Sequence, residues 1–147
     1  MSLKSKQQGF TIVELLIVIV VIGILAALVI TTFTGIQKKA RDTERTTDIK
    51  ALHGQLEAYQ ASAVKYPTLA EFNDTTWRTT NMKGLDPEAL RAPAGNGTLI
   101  SAASTIASYS YVPAPAGCDN TATDCTSYTL TAQLEVNNST FSKNSLN

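Results

Sequence analysis

Chemistry-bearing residues are scarce in this chain. It has two cysteines, one histidine and one tryptophan, and its 12 basic and 12 acidic residues cancel over 147 positions. Two cysteines exclude a disulfide-dense scaffold. A net charge of zero removes the electrostatic case for nucleic-acid binding by the chain as a whole. The one histidine, His53, has no Ser/Asp or Cys constellation to work with, and a general acid or base needs a positioned partner. A structural or solvent-facing place is expected for it. The chain therefore reads as a non-enzyme, with no catalytic residue and no cofactor. Its length allows one domain plus an anchor or tail.

What the chain does have is a long apolar run. Residues 1–9 (MSLKSKQQG) are polar and basic through Lys4 and Lys6, and residues 10–30 (FTIVELLIVIVVIGILAALVI) are almost wholly apolar. About 21 residues at about 1.5 Å rise come close to the thickness of a bilayer core, which predicts a transmembrane helix. So long an unbroken run disfavours the core helix of a soluble protein. No A-x-A site closes it, as an ordinary secretory signal requires. No cysteine lies near it, so a lipoprotein anchor is excluded. One residue is wrong for a plain anchor. Glu14 lies inside the run, where an acid costs roughly 2.5–3.5 kcal/mol near the centre of a membrane helix and less toward the interface. Either it has a functional partner or it sits shallow enough to reach headgroup water. The flanking charges conflict: Lys4 and Lys6 favour a cytoplasmic N-terminus, whereas Lys38, Lys39 and Arg41 argue against it.

The order Gly9-Phe10-Thr11-Ile12-Val13-Glu14, behind a short basic leader and before an apolar run, resembles the prepilin cleavage motif of type IV pilins and type II secretion pseudopilins. The resemblance implies cleavage between Gly9 and Phe10 by a dedicated peptidase on the cytoplasmic side, then N-methylation of Phe10 by the same peptidase/methyltransferase. It implies a homo-oligomeric helical filament raised by an assembly platform and its ATPase machinery. The subunit would be a single-pass protein of the cytoplasmic membrane before assembly, and part of an extracellular pilus or periplasmic pseudopilus afterwards. A structural subunit of a type IV pilus is the first reading and a secretion pseudopilin the alternative. A membrane-anchored binding domain is a third. The layout expected is a leader at 1–9, a transmembrane and polymerisation helix at 10–35, and a globular head at 36–147.

Elementary chemistry fits this scheme. Cutting before Phe10 creates an α-amino group with an ordinary pKa of about 7.7–8.0, and methylation keeps its charge. If a neighbouring subunit's amine meets Glu14, both charges are neutralised, and helices in the wrong axial register are rejected because a carboxylate stays buried and unpaired. Phe10 and Glu14 are also i and i+4, so the pair could close within one chain. The sequence leaves both open. Pilins often carry a proline where this chain has Thr31; residues 31–35 (TTFTG) form a weak helical patch instead.

The helix should continue to Ala63. No proline interrupts residues 36–63, and Ile49, Leu52, Leu56, Tyr59 and Ala63 form one stripe. Tyr66-Pro67 ends it. Short helices are expected at 69–72 and from Asp86-Pro87, a loop at 92–98, and strands at 108–113 and 128–136, the second with its apolar residues on even positions. A further strand near Leu99-Ile100 would complete a small antiparallel sheet, and the polar tail 137–147 should be loosely held. Phe72 and Trp77 read as core anchors. The fold class expected is α+β: a long N-terminal helix, transmembrane in one half and amphipathic in the other, packed on a small antiparallel sheet head as in pilins. Cys118 and Cys125 flank a short polar loop and should oxidise outside the cytoplasm. Closing about eight residues is worth roughly 2.5 kcal/mol in the chain-entropy model. Asp119 and Asp124 match no recognisable calcium loop, so a solvated turn is expected there and no metal site.

Overall fold

The computed structural model describes residues 9–147. The leader lysines Lys4 and Lys6 lie outside the described residues. Helix α1 runs from Ile12 to Ala63 without interruption, including the weak patch 31–35, where the Thr32 hydroxyl donates to the Leu28 carbonyl at 3.0 Å. The chain forms two compact units, one ending at Gln37 and the other spanning Lys38–Asn147.

In the first unit the apolar side chains are bare. Phe10, Ile12, Leu15, Ile19, Leu25, Phe33 and Ile36 are all exposed, on every side of the helix. A helix that is apolar all round needs a non-aqueous surrounding or other helices. Among the described residues α1 is the one helix long and apolar enough to cross a membrane.

The second unit buries the stripe read from the sequence. Ile49, Leu52 and Leu56 are fully buried, and Tyr59 packs beside them. Each such leucine contributes about 1.5–3 kcal/mol by leaving water. Across from them lies a three-stranded antiparallel sheet in the order β1 (Ser110–Ala114), β2 (Ser127–Gln133), β3 (Thr140–Asn144). The even positions Tyr128, Leu130 and Ala132 of β2 face the core, as the alternation requires.

Buried tyrosines tie this sheet to the helix. Tyr109 donates to Asp48 Oδ2 at 2.6 Å, Tyr128 to Glu57 Oε1 at 2.9 Å and Tyr66 to Glu57 Oε2 at 2.9 Å, while Tyr111 donates to the Pro67 carbonyl at 2.7 Å. Burial, and then Glu57, push the Tyr66 phenol up to about 12. Tyr109, Tyr111 and Tyr128 are pushed further for the same first reason, so all four stay neutral donors.

Several details depart from expectation. The tail is not loose: residues 140–144 form β3, because Asn138 takes a left-handed φ of 48° and the Leu134 amide donates to the Ser139 carbonyl, turning the chain back on β2. Its polar composition hides the strand, since one face meets solvent and only Phe141 packs toward the core. The strand expected at 128–136 stops at Gln133, because residues 135 and 136 bond to α1 instead. Near Leu99-Ile100 there is a single parallel bridge to Ser110 rather than an antiparallel strand. Helices α2 (Leu69–Asn73) and α3 (Thr75–Asn81) are two elements, the second capped by Asp74, which accepts from the Trp77 amide at 3.0 Å. Phe72 is fully buried; Trp77 stands at the margin of the core, edge-on to Tyr59 at 5.1 Å. A 3-10 turn at Pro87–Leu90 follows the cap Asp86.

Candidate assembly site

The first residues of α1 carry the chemistry expected of the N-terminus. The first four amides of a helix have no partner within it. Here the Thr11 hydroxyl accepts from the Glu14 amide at 3.2 Å, while Glu14 Oε2 accepts from the Thr11 amide at 2.8 Å and from the Thr11 hydroxyl at 2.6 Å. This is a reciprocal capping box, with Thr11 as the cap and Glu14 third in the helix. The sequence signal, Thr-x-x-Glu before an apolar run, was available, yet the reading of Glu14 as a charge in oil passed over it. The structure pairs Glu14 within its own first turn. Gly9 and Phe10 lie ahead of the helix and are exposed.

Elsewhere the singled-out residues serve the fold. Cys118 and Cys125 form a disulfide. Asp119 Oδ1 accepts three amides, from Thr121, Ala122 and Thr123 at 2.9, 2.8 and 3.1 Å. These bonds, Thr123's first, hold its carboxyl well below the usual range. Asp124 pairs with Lys65 at 3.0 Å. Both acids are thus engaged, and among the described residues no group of three or more His, Cys, Asp or Glu side chains is arranged to hold a metal. Asn120, at φ 60°, ties the disulfide loop to the turn after α1 and to α2: its Nδ2 donates to the Tyr66 carbonyl and to Glu71, and its Oδ1 accepts from the Cys125 amide, all at 2.9 Å. His53 Nδ1 lies 2.6 Å from the Tyr128 hydroxyl. That hydroxyl gives its one proton to Glu57, so His53 Nδ1 carries the hydrogen of this contact.

Sequence reasoning also missed a buried charge cluster. Arg45 is fully buried and donates to Asp42 Oδ1 at 3.0 Å, Glu135 Oε1 at 2.7 Å and the Ile106 carbonyl at 3.0 Å. Arg41 grips the same Glu135 through two bonds, at 2.8 and 2.6 Å. Alternating charges on a helix carry no mark of which will be buried.

An apolar N-terminal helix that runs on into a small α+β head, with an acid capped in its first turn, defines a pilin-like class of protein. Comparison with known proteins agrees. Residues 4–30 match the prokaryotic N-terminal methylation motif. The chain is similar to the type II secretion system core protein G of Dickeya chrysanthemi (39% identical over 66 residues, 45% of this chain and 43% of that one). It is likewise similar to those of Aeromonas hydrophila (42% over 65 residues, 44% and 46%) and Escherichia coli K12 (41% over 68 residues, 46% and 47%). The match thus spans a little under half the length of these relatives. No solved structure matches. In its N-terminal motif and its fold the chain resembles the type IV pilin and secretion pseudopilin family.

Proposed function

We propose that this chain is the precursor of a filament subunit of the pseudopilin kind, which is cut between Gly9 and Phe10, N-methylated at Phe10 and polymerised through α1 in a type II secretion apparatus. The observation that carries the reading is the bare apolar helix behind the methylation motif. Such a surface is stable only in lipid or against sister helices, and a subunit that moves from one to the other needs both. The similarity to core protein G favours a periplasmic pseudopilus over the extracellular pilus that the motif equally allows. A Cβ added at Gly9 would meet nothing within 4 Å. Nothing in the described chain demands glycine there, as expected if the demand comes from a processing peptidase. Partners on this reading are further copies of the chain, the peptidase, the assembly platform with its ATPase, and the cytoplasmic membrane. The chain itself performs no reaction.

Cleavage gives Glu14 a second partner. The new amine at Phe10 stands beside the Thr11–Glu14 box, so the carboxylate can take its own chain's amine or a neighbour's. In a bundle of apolar helices an unmatched charge is costly, and that cost selects the axial register. The test is the N-terminal mass of the mature chain together with Glu14→Val. A mature chain starting at methylated Phe10, and a variant that inserts but does not polymerise, are expected. A working protein that retains residues 1–9, or normal filaments from Glu14→Val, overturns the reading. Electron microscopy of sheared surface material separates the two filament types: long surface filaments of this subunit mean a pilus.

A further inference from the structure

The head leaves one face of α1 uncovered, and that face is bounded by opposite charges. Thr43, Thr47, Ala51, Gly54 and Ala58 lie along it, all exposed. On one side Lys50 is exposed, with its ammonium 5.9 Å from the centre of the Phe141 ring, so it leans toward β3. Lys143, two residues along that strand, lies on the same face of the sheet as Phe141. Among the described residues neither lysine has an acidic partner. On the other side, about 120–160° round the helix at 3.6 residues per turn, stand Glu44 and Asp48. With Asp86 and Glu88, at the start of the 3-10 turn, they line a depression of about 340 Å³. Four of its lining residues are acids and one, Arg91, is basic; Arg91 lies 3.9 Å from Glu88. Glu44 is exposed and has no basic partner among the described residues. Burial raises the Asp48 carboxyl, the bond from Tyr109 opposes this, and Glu44 and Asp86 raise it further. These acids therefore repel one another, and a cation entering the depression relieves the repulsion.

We propose that the lysine side of one copy docks against the acidic side of the next, helices parallel, with Lys50 entering the depression between Glu44 and Asp48. A shared membrane imposes parallel helices on chains of one topology. Lys50 stands four residues beyond the midpoint of Glu44 and Asp48, so the contact needs an axial stagger of about 6 Å. A neighbour's Phe10 amine reaches Glu14 at the same stagger and in the same direction, because those residues are also four apart. One register therefore serves both pairs of charges. The two surfaces differ, so the contact is heterologous; with an axial stagger it cannot close into a ring, and it propagates as a helix. Charges at the surface of the head set register and partner more than affinity, which the apolar half of α1 supplies. This rests on the reading of α1 as a membrane-anchored polymerisation helix, and adds which sides of the head meet.

Carbodiimide coupling of the full chain, packed at high density in lipid vesicles, tests the contact. The reagent joins a lysine amine to a carboxylate only where the two touch. An equal mixture of chains made with light and heavy nitrogen is expected to give an amide from Lys50 to Glu44 or Asp48, with one light and one heavy peptide. Association is read separately, by energy transfer between chains labelled at their C-termini. Lys50→Glu and Glu44→Lys should each lower it about tenfold, because reversal sets like charges together. The melting midpoint of the head should hold in both, since each side chain is exposed and unpaired. Mixing the two variants should restore transfer, because one keeps its acidic side and the other its lysine side. Absence of the Lys50 amide between chains overturns the proposal. So does either variant associating as the parent does, or a mixture that associates no better than its components. N-terminal mass decides cleavage at Phe10 separately: a methylated Phe10 without the Lys50 amide removes this contact and leaves the filament reading standing.

Discussion

Asp42 accepts the backbone amide of Glu135 at 2.8 Å with one carboxylate oxygen and that of Val136 at 2.9 Å with the other, so an acid on α1 replaces the hydrogen bonds that β2 gives up where it ends. Arg45 lies between the two carboxylates and pairs with each, while Arg41 on Glu135 supplies the second positive charge. Removing one partner of a buried ionic group costs about 3–5 kcal/mol, mostly because the remaining charges stay buried and unpaired. Arg45→Met is therefore expected to destabilise the head by about 3 kcal/mol. Thermal melting of the full chain in detergent, followed by near-UV circular dichroism, reads this directly. An unchanged midpoint would mean that the cluster is stabilising neither the helix nor the turn.

The same cluster sets an acid limit. Hydrogen bonding from Arg41, then from Arg45, holds the Glu135 carboxyl down to about 2. Its folded value is depressed below the unfolded value of about 4.3. The stability it supplies is then fully present above pH 5 and is lost as pH falls through about 2. Asp119 acts in the same direction through its three backbone amides. The melting midpoint should be flat from neutrality to about pH 5 and fall below it, and Glu135→Gln should flatten that fall. A Glu135→Gln profile parallel to the parent's would dismiss this account.

How far the chain could be read in advance follows from which forces leave a local mark. The helix, its buried stripe and the face of β2 were legible because burial repeats with the period of the element. Residues 69–73 and 86–90 were legible because caps and prolines act locally. Strand β3 was not: one phenylalanine among polar residues gives no alternation to count, and its pairing is decided by the turn at Asn138. The Arg45 cluster left no mark either, because two of its partners, Ile106 and Glu135, lie 61 and 90 residues away in sequence. At the N-terminus Glu14 stood out as an oddity, while the hydroxyl that receives it, Thr11, drew no notice in a row of apolar neighbours.

Thr11 deserves its own variant. Thr11→Val keeps shape and loses the hydroxyl that caps the Glu14 amide and donates to its carboxylate. Loss of a cap costs about 1 kcal/mol, confined to the first turn. Amide exchange at Glu14 should accelerate about fivefold in Thr11→Val and return toward the parent rate in Thr11→Ser. The head's melting midpoint should not move. Equal exchange in all three proteins would show that the box contributes nothing.

Val64 closes α1 at a place where valine is a poor choice. Its φ is 62°, in the left-handed region, and the residue is 79% exposed. A β-branched residue is a true outlier there, because its Cβ crowds the following carbonyl, at a cost of about 1–3 kcal/mol. The hydrogen bond from its amide to the Gln60 carbonyl, at 2.7 Å, holds the turn in place, and so does the Lys65–Asp124 pair that follows. Neither depends on the valine side chain. Asparagine tolerates the same φ with little strain. Val64→Asn should therefore stabilise the head by about 1 kcal/mol, raising the midpoint by several degrees. A lower midpoint would mean that the exposed valine makes a contact worth more than the strain it imposes.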